Sequence, residues 1–392
     1  MRAFVCRLAA TAAFVFVVNA AAAQDKIRIG LIYTLAGPAS ALGQQSKNGF
    51  ELALKDLGGK MGGKEVELFV ADDELKPDVA IQKVRGLLER DNVDFVVGPI
   101  FSNILVAIHK PVLDAGKILI STNAGTSNFA GAACNANFFV TSYQNDQIFE
   151  AIGEAANKLG YKRVFALVPN YPAGKDALAG FKRTFKGQIA EESLVPLNTT
   201  DFGPEVSKIS AAKPDALFTF MPGGLGINLL NTYIQAGLKG KVPIVSAFTA
   251  DEATLPVLKD NAVDVYGVLT WAPNMDNAAN KKFVSEYVAA YKAVPASYAM
   301  QAYDAAMLIN SAVTAVKGNL SDQNAVRAAL KKAAFTSVRG PFKFNVNQYP
   351  VQNYYVRTIG SDGKGGLINK SFSEPILKNH GDAYAQDCKM KD

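Results

Sequence analysis

Residues suited to metal binding or nucleophilic catalysis are scarce in this 392-residue chain, which has two histidines, three cysteines and one tryptophan. His109 falls within an apolar-periodic stretch and His380 near the end, so their spacing offers neither a metal cluster nor a catalytic triad. Gly-x-Ser-x-Gly is absent, including around Ser102 and Ser121. The pairs Gly58-Gly59 and Gly62-Gly63 lack the Lys-Ser/Thr of a phosphate loop and do not make a dinucleotide fingerprint. No catalytic residue, metal or cofactor is therefore expected. The acidic run Asp72-Asp73-Glu74 reads as a solvated loop or cap rather than a cation site. Charge is sparse as well: 19% of residues are charged, with 41 basic against 35 acidic and a formal net charge of +6. With no basic block of five or six residues, nucleic acid is not an expected partner. Beyond the N-terminus no apolar run reaches the roughly 18 residues of a bilayer span, so stable membrane insertion is not expected.

What is present is apolar material, 49% of the chain, in a length that suits two cores better than one. Residues 1–23 read as a secretory signal. Arg2 and Arg7 form the basic start, Leu8 to Val18 the short apolar stretch, and Ala21-Ala22-Ala23 the small residues before a cut ahead of Gln24. Cys6 leaves with that segment and lies ahead of the apolar stretch, which disfavours a lipid-anchored N-terminal cysteine. Cys134 and Cys388 remain, and in an oxidising compartment an even pair reads first as a disulfide.

The rest alternates between short apolar strands and helical patterns. Strands are expected at Lys26 to Tyr33, Glu65 to Val70, Val93 to Val97 and Lys117 to Ser121. Helices are expected at Gln44 to Leu57, Pro77 to Arg90 and Asn103 to Ala115. Asn145 to Gly160 restarts the cycle. Strands follow at Arg163 to Val168, Gln188 to Val195, Ala216 to Phe220, Val242 to Val245 and Val265 to Thr270, with helices between them. Three late helices, at Lys281 to Tyr291, Met300 to Val316 and Ser321 to Ala334, precede strands at Phe342 to Phe344 and Asn353 to Ile359. Such material builds mainly parallel α/β sheets covered on both faces, here in two lobes.

Ligands of open α/β sheets sit beyond the C-terminal ends of the strands. Two first-half loops there suit an anion. In Gly98-Pro-Ile-Phe-Ser-Asn103, Ser102 or Asn103 can cap the next helix, whose first amides then seat a carboxylate. In Thr122-Asn-Ala-Gly-Thr126, Asn123, Ala124 and Gly125 allow close approach and supply donors. The second half brings aromatic and small residues to its strand ends: Tyr171, the Phe220-Met221-Pro-Gly223-Gly segment, Phe248 and Trp271. Together these allow an apolar wall for a planar ligand.

Three segments, Ile29-Gly-Leu-Ile-Tyr-Thr-Leu-Ala-Gly-Pro38, Gly98-Pro-Ile-Phe-Ser102 and Val168-Pro-Asn-Tyr-Pro-Ala-Gly174, fall in an order and spacing that resembles a known family. The chain looks like a periplasmic substrate-binding protein of the branched-chain amino-acid (Leu/Ile/Val) ABC transporter type. The resemblance implies the type I, Venus-flytrap architecture: two Rossmann-like lobes joined by a three-strand hinge. Lobe 1 would take residues 24–142 and 273–345, and lobe 2 residues 143–272 and 346–392. A monomer that closes on its ligand and docks on a membrane permease is the implied behaviour, in the periplasm. Carried over by position, Ser102 and the loop of Asn123, Ala124 and Gly125 would hold a ligand carboxylate, with Tyr171 as an aromatic contact; Phe101 beside Ser102 and the strand-end residues Met221, Gly223, Phe248 and Trp271 complete the expected site. Two departures stand out. An early tyrosine of the amino-acid binders is Leu42 here, and the acidic partner of an α-ammonium has no secure match, Asp251 and Glu252 lying displaced. An aromatic acid of benzoate, hydroxybenzoate or cinnamate type is therefore the expected ligand. The alternatives are a branched-chain amino acid or small amide, a soluble partner of a receptor and, last, an exported α/β hydrolase.

Overall fold

A computed structural model describes residues 26–390 except 263, 364 and 373; the expected export signal and Cys6 lie outside the described residues. The first sheet consists of β1 (Lys26–Tyr33), β2 (Lys60–Met61), β3 (Lys64–Asp72), β4 (Phe95–Val97), β5 (Ile118–Ser121) and β6 (Phe138–Val140), in the order β2-β3-β1-β4-β5-β6. All its pairings are parallel except the β2–β3 hairpin. β1 is buried along nearly its whole length, as expected of a parallel strand covered on both faces. The second sheet contains β7 (Arg163–Pro169), β8 (Gln188–Val195), β9 (Ala216–Thr219), β10 (Ile244–Ser246) and β11 (Val265–Leu269). It also holds β12 (Lys343–Phe344), β13 (Pro350–Ser361), β14 (Leu367–Ser371) and β15 (Leu377–His380). Its order is β12-β13-β11-β10-β9-β7-β8, with β13 antiparallel to β11 and both β14 and β15 paired to β13.

Helices α1 (Ser40–Asp56), α2 (Pro77–Arg85) and α3 (Ser102–Asp114) accompany the first sheet, and α4 (Asn145–Lys158), α5 (Pro172–Thr184), α6 (Gly203–Ala212), α7 (Gly224–Gln235) and the short α8 (Leu255–Leu258) the second. The late helices α9 (Ala278–Tyr291), α10 (Ser297–Ala315) and α11 (Gln323–Lys332) return to the first lobe. There Ser46 of α1 bonds the Tyr298 carbonyl and Tyr303 bonds Asp56. No helix among the described residues is long and apolar enough to cross a membrane.

Some boundaries differ from the sequence reading. The helix expected to reach Arg90 ends at Arg85 and continues as a π-helical turn, Gly86–Arg90. The expected strand at Asn353 to Ile359 is the centre of the longer β13, and β6, β14 and β15, of 3, 5 and 4 residues, are too short for a periodicity to announce them.

The chain passes between the sheets three times, over residues 141–144, 270–277 and 333–349. One buried side chain binds two of these passages together. Arg339 reaches the Asp304 carboxylate of α10 at 3.1 Å, donates to the carbonyl oxygens of Thr141 and Ser142, and donates to Gln352 Oε1 of β13. Gln352 in turn donates to the Ser142 carbonyl at 2.7 Å. Nearby, the Cys134–Cys388 disulfide joins residues 254 apart in sequence.

Two tests follow from this frame. Arg339→Met leaves Asp304 buried without its cation and is expected to destabilise the protein by about 3–5 kcal/mol, read as a lowered urea midpoint. Cys134→Ser with Cys388→Ser removes a very long loop closure, and the chain-entropy model sets its cost at up to about 5 kcal/mol. The expected result is a clear drop in Tm that matches the drop caused by reductant in the parent protein; an unchanged Tm would contradict it.

Candidate functional site

The carboxyl ends of the two sheets face each other, and a small cavity lies between them. From the first lobe come Ile100, Ser102, Asn123 and Ala124; from the passage and α4 come Tyr143, Asn145 and Phe149. Tyr171, Ala173, Phe220 and Phe248 close it from the second lobe. The cavity has room for about one water. A ring-sized guest must therefore part the lobes or turn an aromatic side chain aside.

The β4–α3 loop approaches so closely because position 98 is glycine. Its φ is +117°, and an added Cβ would lie 2.0 Å from the Ile32 carbonyl oxygen. Phe101, not Ser102 or Asn103, occupies the N-cap of α3, in extended conformation and with no side-chain cap. The expected cap by Ser102 or Asn103 does not form, because both residues are already helical and cannot reach back to the first-turn amides. That end of α3 keeps its partial positive charge at the cavity edge. The Ser102 hydroxyl accepts from Asn145 Nδ2 at 3.2 Å, which leaves its own proton to donate.

The β5 loop is more committed than expected. The Ala124 amide bonds the Pro99 carbonyl, the Gly125 amide bonds Asn145 Oδ1, and Asn123 gives both side-chain hydrogens to Tyr143 and Gln301. A Cβ on Gly125 would lie 1.8 Å from the Tyr143 carbonyl oxygen. Ala124 and Asn123 thus wall the cavity, while Gly125 locks the loop to the hinge passage instead of facing a guest. The Tyr143 hydroxyl accepts from Asn123 and keeps its proton.

Aromatic rings make the rest. Tyr171 stacks on Phe220 at 6.2 Å and tilts against Phe101 at the same distance. Phe248 stands 6.1 Å from Phe220 and 5.8 Å from Tyr143. Burial holds the phenols of Tyr143 and Tyr171 far above the ordinary tyrosine range, so both are neutral donors. Among the described residues no Asp, Glu, Lys or Arg lines this space. Asp176 lies one shell behind, taking Ser127 through amide and hydroxyl and Asn145 through Nδ2; burial pushes its carboxyl up. Since Ser127 follows β5 and Asp176 belongs to α5, this contact ties the lobes at the cavity rim. Among the described residues no group of three or more His, Cys, Asp or Glu is placed to hold a metal.

The structure therefore gathers Ser102, Asn123, Ala124, Tyr171 and Phe248 around one space, with Phe101 bordering it through Tyr171. Three other expected wall residues stand elsewhere. Met221 sits in the second lobe's core, its amide on Thr249 Oγ1. Gly223, at φ +62°, faces Leu42 and Pro38 across the lobe boundary. Trp271 is wholly buried; its indole donates to Asn280 Oδ1 at 2.7 Å and its ring packs on Phe283, which fastens the second passage to α9. Tyr143, Asn145 and Phe149 were not anticipated. Their only sequence signal is position, at the end of the first passage and in the first turns of the helix that follows it.

The sequence matches the model of a family described as periplasmic binding protein over residues 26–364. A solute-binding protein of an ABC transporter from Rhodopseudomonas palustris, solved in complex with benzoate, superposes with a TM-score of 0.87 at 30% identity, covering 93% of this chain and 100% of that one. Another from R. palustris, in complex with 4-hydroxybenzoate, gives 0.82 at 28% identity over 89% of this chain and 96% of that one. Leu/Ile/Val-binding protein homolog 6 of Brucella melitensis is 29% identical over 380 residues, 93% of this chain and 95% of its own length. Such proteins bind small molecules and deliver them to ABC permeases; they are not enzymes. With two α/β lobes about a shared cavity and this match along its length, the chain belongs to the periplasmic binding protein family, as a solute-binding protein of the ABC-transporter type.

Proposed function

We propose that the ligand is a small aromatic carboxylate of benzoate, hydroxybenzoate or cinnamate type. It is captured in the periplasm by a monomer whose export signal has been removed, and is delivered to a membrane permease. The observation that carries this reading is the lining of the cavity: neutral donors on one side, aromatic rings on the other, and no carboxylate. A ligand carboxylate at Ser102 would meet its hydroxyl proton and the uncapped amides of α3. The ring would lie among Tyr171, Phe220 and Phe248. Relatives that hold benzoate and 4-hydroxybenzoate support the same chemistry.

The second reading, a branched-chain amino acid, is favoured by the names of the Leu/Ile/Val-binding relatives. An α-ammonium beside the carboxylate seat would need an anionic partner there, and none of the described residues lining the cavity is anionic; an uncompensated buried cation costs several kcal/mol. Closure follows the same logic under either reading. A guest stabilises the closed form only through contacts with both lobes, here Ser102 on one and Tyr171 with Phe220 on the other. The two moving bodies are taken as residues 24–142 with 273–345 and residues 143–272 with 346–392.

Calorimetry with benzoate, 4-hydroxybenzoate, cinnamate and leucine tests the reading. Binding of at least one aromatic acid with little response to leucine is expected, and tight leucine binding without response to the acids overturns it. Ser102→Ala removes a hydrogen bond to a charged group, worth about 1.5–3 kcal/mol, so affinity for the acid should fall about tenfold or more with an unchanged circular dichroism spectrum. Unaltered affinity would exclude Ser102 from the seat.

A further inference from the structure

Beyond Phe248, at the carboxyl ends of β10 and β11, three ionisable side chains are buried together. Asp251, Glu252 and Arg357 have relative exposures of 0%, 5% and 1%. Each satisfies part of its bonding locally. Asp251 Oδ1 accepts from the Ala253 amide, Glu252 Oε1 accepts from the amide and side chain of Asn369, and Arg357 Nη1 donates to the Trp271 carbonyl oxygen. Each also leaves one buried atom without a partner: Asp251 Oδ2, Glu252 Oε2 and Arg357 Nε. Arg357 makes no salt bridge with either carboxylate. Three desolvated ionic groups with unfilled bonds are a poor way to stabilise a lobe, but they offer two acceptors and one donor to an incoming group.

The cluster adjoins the cavity. Rings run from the carboxylate seat in steps of about 6 Å, from Phe101 to Tyr171, Phe220, Phe248 and then Tyr298 at 5.5 Å. Tyr298, in the first turn of α10, feels Asp251 and Arg357 as well as Tyr143 and Tyr171. Phe248 lines the cavity and its ring meets that of Tyr298. Its φ of +61° places a bulky side chain in the left-handed region, which non-glycine residues rarely occupy.

Resting on the aromatic-acid reading, we infer that Asp251, Glu252 and Arg357 form a second polar pocket of the same site, opened when Phe248 turns aside, that receives a ring hydroxyl remote from the ligand carboxylate. A phenol is both donor and acceptor: its proton goes to a carboxylate oxygen and its oxygen accepts from Arg357 Nε. Unsubstituted benzoate would leave these atoms unmatched, which is the asymmetry by which polar pockets reject an analogue lacking the group. A second ligand carboxylate would face two acids against one guanidinium. Burial, with Glu252 beside it, pushes the Asp251 carboxyl up to about 7, so near neutral pH it can serve in either protonation state.

The test is the ratio of affinities for 4-hydroxybenzoate and benzoate, measured by calorimetry at pH 7. In the wild-type protein the hydroxylated acid is expected to bind at least about tenfold tighter, a difference of about 1.4 kcal/mol, and in Asp251→Ala the ratio is expected to fall to within about threefold of unity. Equal affinities in the wild type, or a ratio that Asp251→Ala leaves intact, overturns the second pocket while the aromatic-acid reading stands. Should Asp251→Ala not fold, Glu252→Gln and the wild-type ratio decide by the same criteria. Binding of leucine with no affinity for either acid overturns both.

Discussion

A single guanidinium at the hinge holds the architecture in register. Arg339 is removed from water, so its charge must be answered by protein groups alone. Those groups come from α10, from the first passage between the lobes and, through Gln352, from the strand that follows the third. The hinge is therefore a hydrogen-bonded knot and not a bare set of linkers. These bonds fix the spacing of the first and third passages.

Everything in the cavity inherits its position from that arrangement. Parallel strands end on one edge of each sheet, and the two edges face one another. The loops beyond them supply polar groups from the first lobe and rings from the second. Most donors that a sequence reader would assign to the guest are already spent. The amides of Ala124 and Gly125 and the side chain of Asn123 bind the protein itself, and the end of α3 is left as the electropositive surface. Rigidity of the seat and scarcity of free donors are thus two sides of the same bonding.

Much of this was legible beforehand, and the reasons are specific. The mainly parallel lobes followed from near-continuous apolar strands such as β1 and β7, and the cysteine pairing from an even count in a chain whose start reads as an export signal. Ser102, Asn123, Ala124, Tyr171 and Phe248 were recoverable because each lies in, or at the end of, the loop that follows a strand. Trp271 and Met221 also follow strands, yet they turn inward; which way a residue beyond a strand end points is decided by the next turn, and periodicity does not encode it. Asn145, Tyr143 and Phe149 went unseen for the opposite reason. Tyr143 belongs to the first passage between lobes and the other two to the first turns of α4, whose place at the cavity is a tertiary fact. The incompletely bonded group of Asp251, Glu252 and Arg357 spans more than a hundred residues and was likewise beyond local reading.

The disulfide has a mechanical corollary. The segment ending at Cys388 is bonded to the second lobe, Tyr384 reaching Asp146 and Arg183, while Cys134 belongs to a loop that follows β5 of the first. A covalent tie across the two bodies limits how far the loop after β5 and the C-terminal segment can separate, whatever else in the clamp gives way.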